Sequence, residues 1–229
     1  MKSLIFDSST IITLAMNNLL WILEPLKKQF RGEFYISQSV KKEIIDTPLK
    51  SKKFKLEAMQ VLSMIDNGIL SIYDDSKYSN EVKELTKLAN SLFKSKNNYI
   101  KILHEGEAGA VILAKNLKAD ALIVDERTTR VLLEDPKKLE KHLERKLHRD
   151  VILDTQNLKK FKELVKGIIA LRSAELGVMA FEMGILDKYI SKKRTTKKDL
   201  LDALLWAVKL RGCSISIEEI NSILHFERL

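Results

Sequence analysis

One cysteine, three prolines and eight glycines among 229 residues is a sparse supply of the residues that cross-link, kink or loosen a chain. With Cys213 alone, no intramolecular disulfide can form, and neither can a zinc site built on several thiolates. The four histidines, at 104, 142, 148 and 225, lack the HExxH spacing of a zinc protease. Any metal site must therefore be made of oxygen ligands. Scarce Gly and Pro also argue against long linkers and low-complexity tracts. No apolar run approaches the roughly 18 residues that cross a bilayer. The amino terminus, MKSLIFDSST, meets an acid after three apolar residues. That is too soon for a secretory signal, so a cytoplasmic protein is expected.

What the chain does contain is charge. It is 45% hydrophobic and 31% charged, as soluble globular proteins are, and its formal net charge is +9. Residues 1–154 hold 26 basic and 22 acidic side chains; residues 155–229 hold 14 and 9. The shorter carboxyl-terminal part is the more basic per residue. A basic surface favours polyanions through counterion release, although a lysine-rich surface also serves solubility alone.

Leu4-Ile5-Phe6 reads as a short strand ending at Asp7, followed by the helix-capping residues Ser8-Ser9-Thr10. Ile11, Leu14, Ala15 and Leu19 then recur at helical spacing. Asp7 thus falls at a strand-to-helix turn, where sites collect in open α/β sheets. Helices are expected over 22–30 and 38–46, with Glu33–Ser37 as a strand between them. Glu43 lies beside Ile44 at the buried edge of the second of these helices. Lys50, Lys52, Lys53 and Lys55 form a basic loop or first turn. A helix over 56–67 carries Leu56, Met59, Leu62 and Ile65 at three-residue steps and stops at Gly68. Ile69–Tyr73 is the third strand, 80–94 the next helix, and Lys94–Asn98 (KSKNN) a surface loop.

From Gly106, Ala110, Ala114 and Leu117 make a narrow small-residue stripe, with Glu107 on the same face at its start. Ala121–Val124 has the length and composition of a buried parallel strand, and it delivers Asp125 as Leu4–Phe6 delivers Asp7. Helices are expected over 128–133, 137–149 and 158–165. Either 151–153 or 167–171 is the last strand. Arg172, Ser173 and Glu175 follow the second of these and so face the same end of a sheet. A helix then runs to about Met183, and two more cover about 200–210 and 217–226. The alternation predicts an α/β fold, with a central parallel sheet of about five strands flanked by helices. The expected organisation is a domain over 1–186, with 134–165 as a helical insertion, and a basic helical extension over 187–229.

In LIFDSS, SVKKEII, GEAGAVILA and IVDERTTR, in that order and spacing over about residues 1–130, the chain resembles the PIN domain family. The tail LLWAVKLRGCSISIEEINSIL is similar to the end of one subgroup. The resemblance implies a PIN-like fold and a metal-dependent ribonuclease; many members are VapC-type toxins. It implies that Asp7, Glu43, Glu107 and Asp125 are acidic ligands, with Ser9 or Thr10 in the small polar position after the first Asp. Ile123 stands where many members carry Thr or Ser, and Glu107 where many carry Asp. The implied cofactor is Mg2+ or Mn2+, which carboxylates and water suit. Glu126 is a candidate fifth acid. Arg127 and Arg130 are candidate phosphate contacts, and Lys192, Lys193, Arg194, Lys197 and Lys198 candidate RNA contacts. The implied partners are RNA, a second copy of the chain and an antitoxin. The residues leave two other readings open: a toxin of a toxin–antitoxin pair, or a silent RNA-binding or assembly module.

Overall fold

The computed structural model describes residues 2–191 and 194–227. Its centre is a five-stranded parallel sheet: β1 (Ser3–Phe6), β2 (Glu33–Ser37), β3 (Ser71–Tyr73), β6 (Ala121–Ile123) and β8 (Ala170–Leu171). Their order across the sheet is β3-β2-β1-β6-β8. The chain winds outward from β1 to β3 in one direction and from β6 to β8 in the other. The reversal point therefore lies between β1 and β6, and there the strand ends open a crevice. No described helix is long and apolar enough to cross a membrane.

The period-2 alternation of these strands divides the core into two layers. Leu4, Phe6, Phe34, Ile36, Ala121 and Ile123 face one cluster. Ile5, Leu122 and Val124 face the other. The first layer is covered by helices Ser8–Met16, Leu23–Phe30, Lys55–Asp66 and Ser173–Glu182, and by the carboxyl-terminal pair Lys197–Leu210 and Ile217–Phe226. Leu201, Leu205, Val208 and Ile220 of that pair lie in the same buried cluster as Phe6. The second layer is covered by Ser79–Ala89, Glu105–Leu117, Arg127–Glu134, Pro136–Leu147 and Thr155–Leu164.

The Glu105–Leu117 helix is buried from Ala108 through Ala114. A Cβ on Gly109 would stand 3.0 Å from the Ser39 hydroxyl, so the helix packs tightly against the segment after β2, and a larger residue would require Ser39 to give way. That segment starts as an α-helix, Gln38–Lys41, and widens into a π-helical stretch, Lys42–Asp46, which carries Glu43. Such widened turns are rare and collect at functional sites.

Two expectations are corrected, and the phase of one helix is set by its packing. The KSKNN loop is a hairpin: β4 (Phe93–Ser95) pairs antiparallel with β5 (Asn98–Tyr99) and with β7 (Ile152–Leu153) in a second, three-stranded sheet. Its two-residue turn, Lys96-Asn97, takes φ of 45° and 65°, the geometry of a type I′ turn without the usual glycine. The helix expected over 80–94 ends at Ala89. Asn90 stops it by accepting from the N–H groups of Ile102 and Leu103 and donating to the Leu103 carbonyl. In the Lys55–Asp66 helix, Ala58 and Val61 are buried, while Leu56 and Met59 are 67% and 54% exposed. Apolar residues repeating every three positions drift around a helix with 3.6 residues per turn, so they cannot share one face.

Two L-residues held at positive φ strain the β4–β5 turn. The double variant Lys96→Asn/Asn97→Gly is expected to raise unfolding stability by about 1 kcal/mol. Chemical denaturation measures this, and an unchanged or lower midpoint would show that the turn is not strained.

Candidate active site at the ends of two parallel strands

Asp7 directly follows β1, and Asp125 follows β6 by way of the buried Val124. The Asp7 N–H donates to the Ile123 carbonyl at 2.9 Å, so one acid is pinned to the strand that presents the other. Asp7 caps the Ser8–Met16 helix: its Oδ2 accepts from the Ser9 N–H at 3.1 Å and the Ser9 hydroxyl at 2.6 Å. The same Ser9 hydroxyl accepts from the Asp125 N–H at 3.1 Å. Of the two residues expected in the small polar position, Ser9 makes these contacts; the Thr10 hydroxyl is buried with no protein partner.

Asp125 is fully buried and is held from a distant part of the chain. Its Oδ1 accepts from the Ser173 N–H and its Oδ2 from the Ser173 hydroxyl, both at 2.7 Å. The polar partner of Asp125 thus comes from the end of β8 rather than from position 123, where Ile123 packs into the core. The Asp125 carbonyl also accepts from the Ser214 N–H at 3.1 Å. Beside it, burial pushes the Cys213 thiol up to about 12, and the charge of Asp125 adds to the push.

Asp7 keeps a buried oxygen, Oδ1, with no hydrogen-bond partner. Burial raises its carboxyl above the ordinary range, against the bonds from Ser9, and the charge of Glu43 pushes the same way. Glu43 is exposed, and its Oε2 would stand 3.7 Å from a Cβ on Gly106. Glu107 starts the helix beside it. Burial pushes Glu107 up to about 7; the His104 N–H opposes this, and the charges of Glu126 and Asp7 add to it. Asp7, Glu43, Glu107 and Glu126 therefore form one chain of mutually repelling acids.

The acids also serve as helix caps. Glu107 Oε2 accepts from the His104 N–H at 2.8 Å, and Glu126 Oε2 from the Thr129 N–H at 2.6 Å. Among the described residues, no three His, Cys, Asp or Glu side chains are grouped closely enough to hold a metal ion. The all-oxygen donor set and the unpartnered Asp7 Oδ1 nevertheless fit a hard divalent cation.

Other expected site residues are engaged elsewhere. Arg172, buried, donates to Glu175, to Glu219 and to the Ser214 carbonyl, so it clamps two helices together. Glu175 caps its own helix through the Arg172 N–H. Arg130 pairs with Glu134 at 2.8 Å. Arg127 is exposed at the start of its helix. Arg194 and Lys197 are exposed and engaged locally, the first through its N–H to Ser191 and the second with Asp187; Lys198 is exposed in the same first helical turn. Lys192 and Lys193 lie outside the described residues. No sequence signal announces the Ser214 contact to Asp125, because only the tertiary fold brings the tail there.

Acids drawn together at the reversal point of a parallel sheet, two of them nearly excluded from solvent, define an α/β domain with a polar switch-point site. The chain belongs to the PIN domain family: a family model of that description matches residues 3–136, more than half its length. PIN domains are in general nucleases. No curated protein and no solved structure gives a significant match.

Ser173→Ala removes one of the two donors to a fully buried carboxylate. It is expected to cost about 1.5–3 kcal/mol of folding stability at neutral pH, read by urea denaturation. A loss below about 0.5 kcal/mol would show that Asp125 is not held this way. Glu107 gives a pH signature. Its folded value is raised from an ordinary 4.5 to about 7, so the folded state binds the proton more tightly and stability falls as pH rises through that window. In cation-free protein, Glu107→Gln is expected to melt higher than wild type at about pH 8 and equally at about pH 4. Equal melting temperatures at both pH values would contradict the shift.

Proposed function

We propose that the protein is a ribonuclease dependent on a divalent cation, Mg2+ or Mn2+, which hydrolyses RNA phosphodiester bonds at Asp7, Glu43, Glu107 and Asp125. One observation carries the reading: a carboxylate at a strand end, 2% exposed, keeps an unpartnered oxygen while burial, and after it the charge of Glu43, push its proton affinity up. Like charges buried together are costly unless a cation is shared among them. When bound, that cation supplies charge neutralisation at the scissile phosphate and a more acidic water.

The chain's own residues set the geometry for this. Ser9 fixes the rotation of Asp7, occupying Oδ2 and leaving Oδ1 free of protein donors. Ser173 fixes Asp125 through both carboxylate oxygens. Glu43, on its π-helical turn, and Glu107, at a helix start, flank Asp7. Arg127, exposed two positions after Asp125, is the side chain we assign to phosphate contact. RNA is preferred as substrate from the family resemblance, and the net charge of +9 suits a polyanion.

The test is incubation of labelled RNA and DNA with wild type, Asp7→Asn and Asp125→Asn, with and without Mn2+. Wild type is expected to cleave RNA only with the cation. Each Asn variant is expected to lose more than the roughly 10- to 100-fold that removing a hydrogen-bond partner of a metal ligand costs; Ser173→Ala is expected to fall within that range. Mn2+ is expected to raise the melting temperature of wild type but not of Asp7→Asn. Cleavage retained by clean Asp125→Asn would sink the proposal. Absence of both cleavage and Mn2+ stabilisation in wild type would leave a silent RNA-binding module.

A further inference from the structure

An apolar groove opens beside Glu43. It is lined mainly by apolar side chains, among them Ile11, Ile12, Pro48 and Phe54, with two carboxylates, Glu43 and Glu57, in its wall, and encloses about 230 Å3. Drug-sized ligand pockets run from roughly 300 to 1,000 Å3, so this one suits a single planar ring system. Ile12 and Phe54 remain 41% and 43% exposed at it. One wall continues into the carboxylate site, since Glu43 lines the groove and its charge also bears on Asp7.

Phe54 has no structural account of its own. It occupies the cap position of the Lys55–Asp66 helix, where its carbonyl accepts from the Ala58 N–H at 3.0 Å but its side chain makes no capping bond. Its backbone is left-handed, φ 61° and ψ 18°, a conformation that bulky side chains rarely hold. The core does not bury it. Strain of this kind at an exposed position collects at ligand-binding surfaces. The surrounding sequence is KSKKFK: Lys50, Lys52, Lys53 and Lys55 are all exposed, with no acid among residues 50–55. Lys53 Nζ lies 4.7 Å from the centre of the Phe54 ring. A groove for an apolar protein segment has no use for four lysines. A polyanion that carries flat apolar rings uses both, because bases stack on aromatics while lysines track the backbone.

We propose that this groove is a subsite for one unpaired nucleobase of the RNA, with Phe54 as the stacking surface and Lys50, Lys52, Lys53 and Lys55 as phosphate contacts. The proposal rests on the nuclease reading of the neighbouring acids. Bases inside a duplex are already stacked and paired and cannot enter such a groove.

The test is fluorescence anisotropy with a labelled twelve-nucleotide RNA, single-stranded or annealed, in EDTA so that binding is read without cleavage. Phe54→Leu keeps the groove apolar but removes the ring face. It is expected to weaken single-strand binding by roughly 5- to 100-fold, while duplex binding changes less than about twofold. Phe54→Tyr is expected to bind like wild type. Lys52→Ala/Lys53→Ala is expected to weaken both RNAs and to flatten the salt dependence. Circular dichroism and melting curves establish that each variant is folded. Single-strand binding by Phe54→Leu equal to wild type would overturn the proposal and assign the groove to another occupant, such as an apolar protein segment. Cleavage with Mn2+ reports separately on the nuclease reading. RNA bound through Phe54 but not cleaved defeats that reading alone; RNA cleaved by wild type with Phe54→Leu binding unimpaired defeats the groove alone.

Discussion

Two carboxylates buried at the ends of neighbouring parallel strands set the terms for the rest of the structure. An ionised carboxylate taken out of water is costly unless donors replace its hydration. Ser9 supplies the donors for Asp7 and Ser173 those for Asp125, and the Ser9 hydroxyl also joins the two segments. Ser9 donates to Asp7 and accepts from the Asp125 N–H, while the Asp7 N–H reaches the carbonyl of Ile123. The start of the first helix and the end of β6 are thereby locked in register. The helix must begin immediately after β1 for Ser9 to be in place, which is why the sequence turns from Phe6 to a run of capping residues without a loop.

The carboxyl-terminal half finishes the site. The family match ends at residue 136, yet both donors to the Asp125 side chain come from residue 173. Ser173 is held in turn by its neighbour. Arg172, 7% exposed, is one of the few buried cations and is satisfied by Glu175, Glu219 and the Ser214 carbonyl. A buried charge survives when it is paired in this way. These bonds tie the Ser173–Glu182 helix to the last helix, and the same tail returns through Ser214 to the Asp125 backbone. Loosening the tail would therefore be felt at an acid nearly 90 residues before it in sequence.

What was legible in the sequence is what local chemistry dictates. An apolar triplet running into an acid and a string of hydroxyls can hardly be anything but a strand meeting a capped helix. Asp7 and the main sheet follow from that pattern, as does the strand delivering Asp125. The hairpin at Lys96-Asn97 was not legible, because neither turn residue is the glycine that such turns favour and its third strand comes from residues 152–153. The phase of the Lys55–Asp66 helix is not legible from its three-residue repeat, which resembles a stripe over two turns and winds off the face over longer spans. The bond from Ser173 to Asp125 spans 48 residues, and only the adjacency of β6 and β8 creates it.

Two of the acids proposed to bind a cation, Asp7 and Glu107, also cap helices, as does Glu126 beside them, and the two roles support each other. A carboxylate has two oxygens. Asp7 caps with Oδ2, while Glu107 and Glu126 each cap with Oε2. Capping places each negative charge at the positive end of a helix dipole, which lowers the cost of keeping several acids close together without a counterion. Were these acids held by loops alone, their mutual repulsion would oppose folding in the absence of metal. Held as caps, they let the domain fold first and leave the electrostatic deficit concentrated where the proton affinity is highest, at Asp7 and Glu107. If a divalent ion binds there as proposed, it would act on a scaffold already fixed by Ser9 and Ser173, and its binding energy would go into relieving repulsion rather than into ordering the chain.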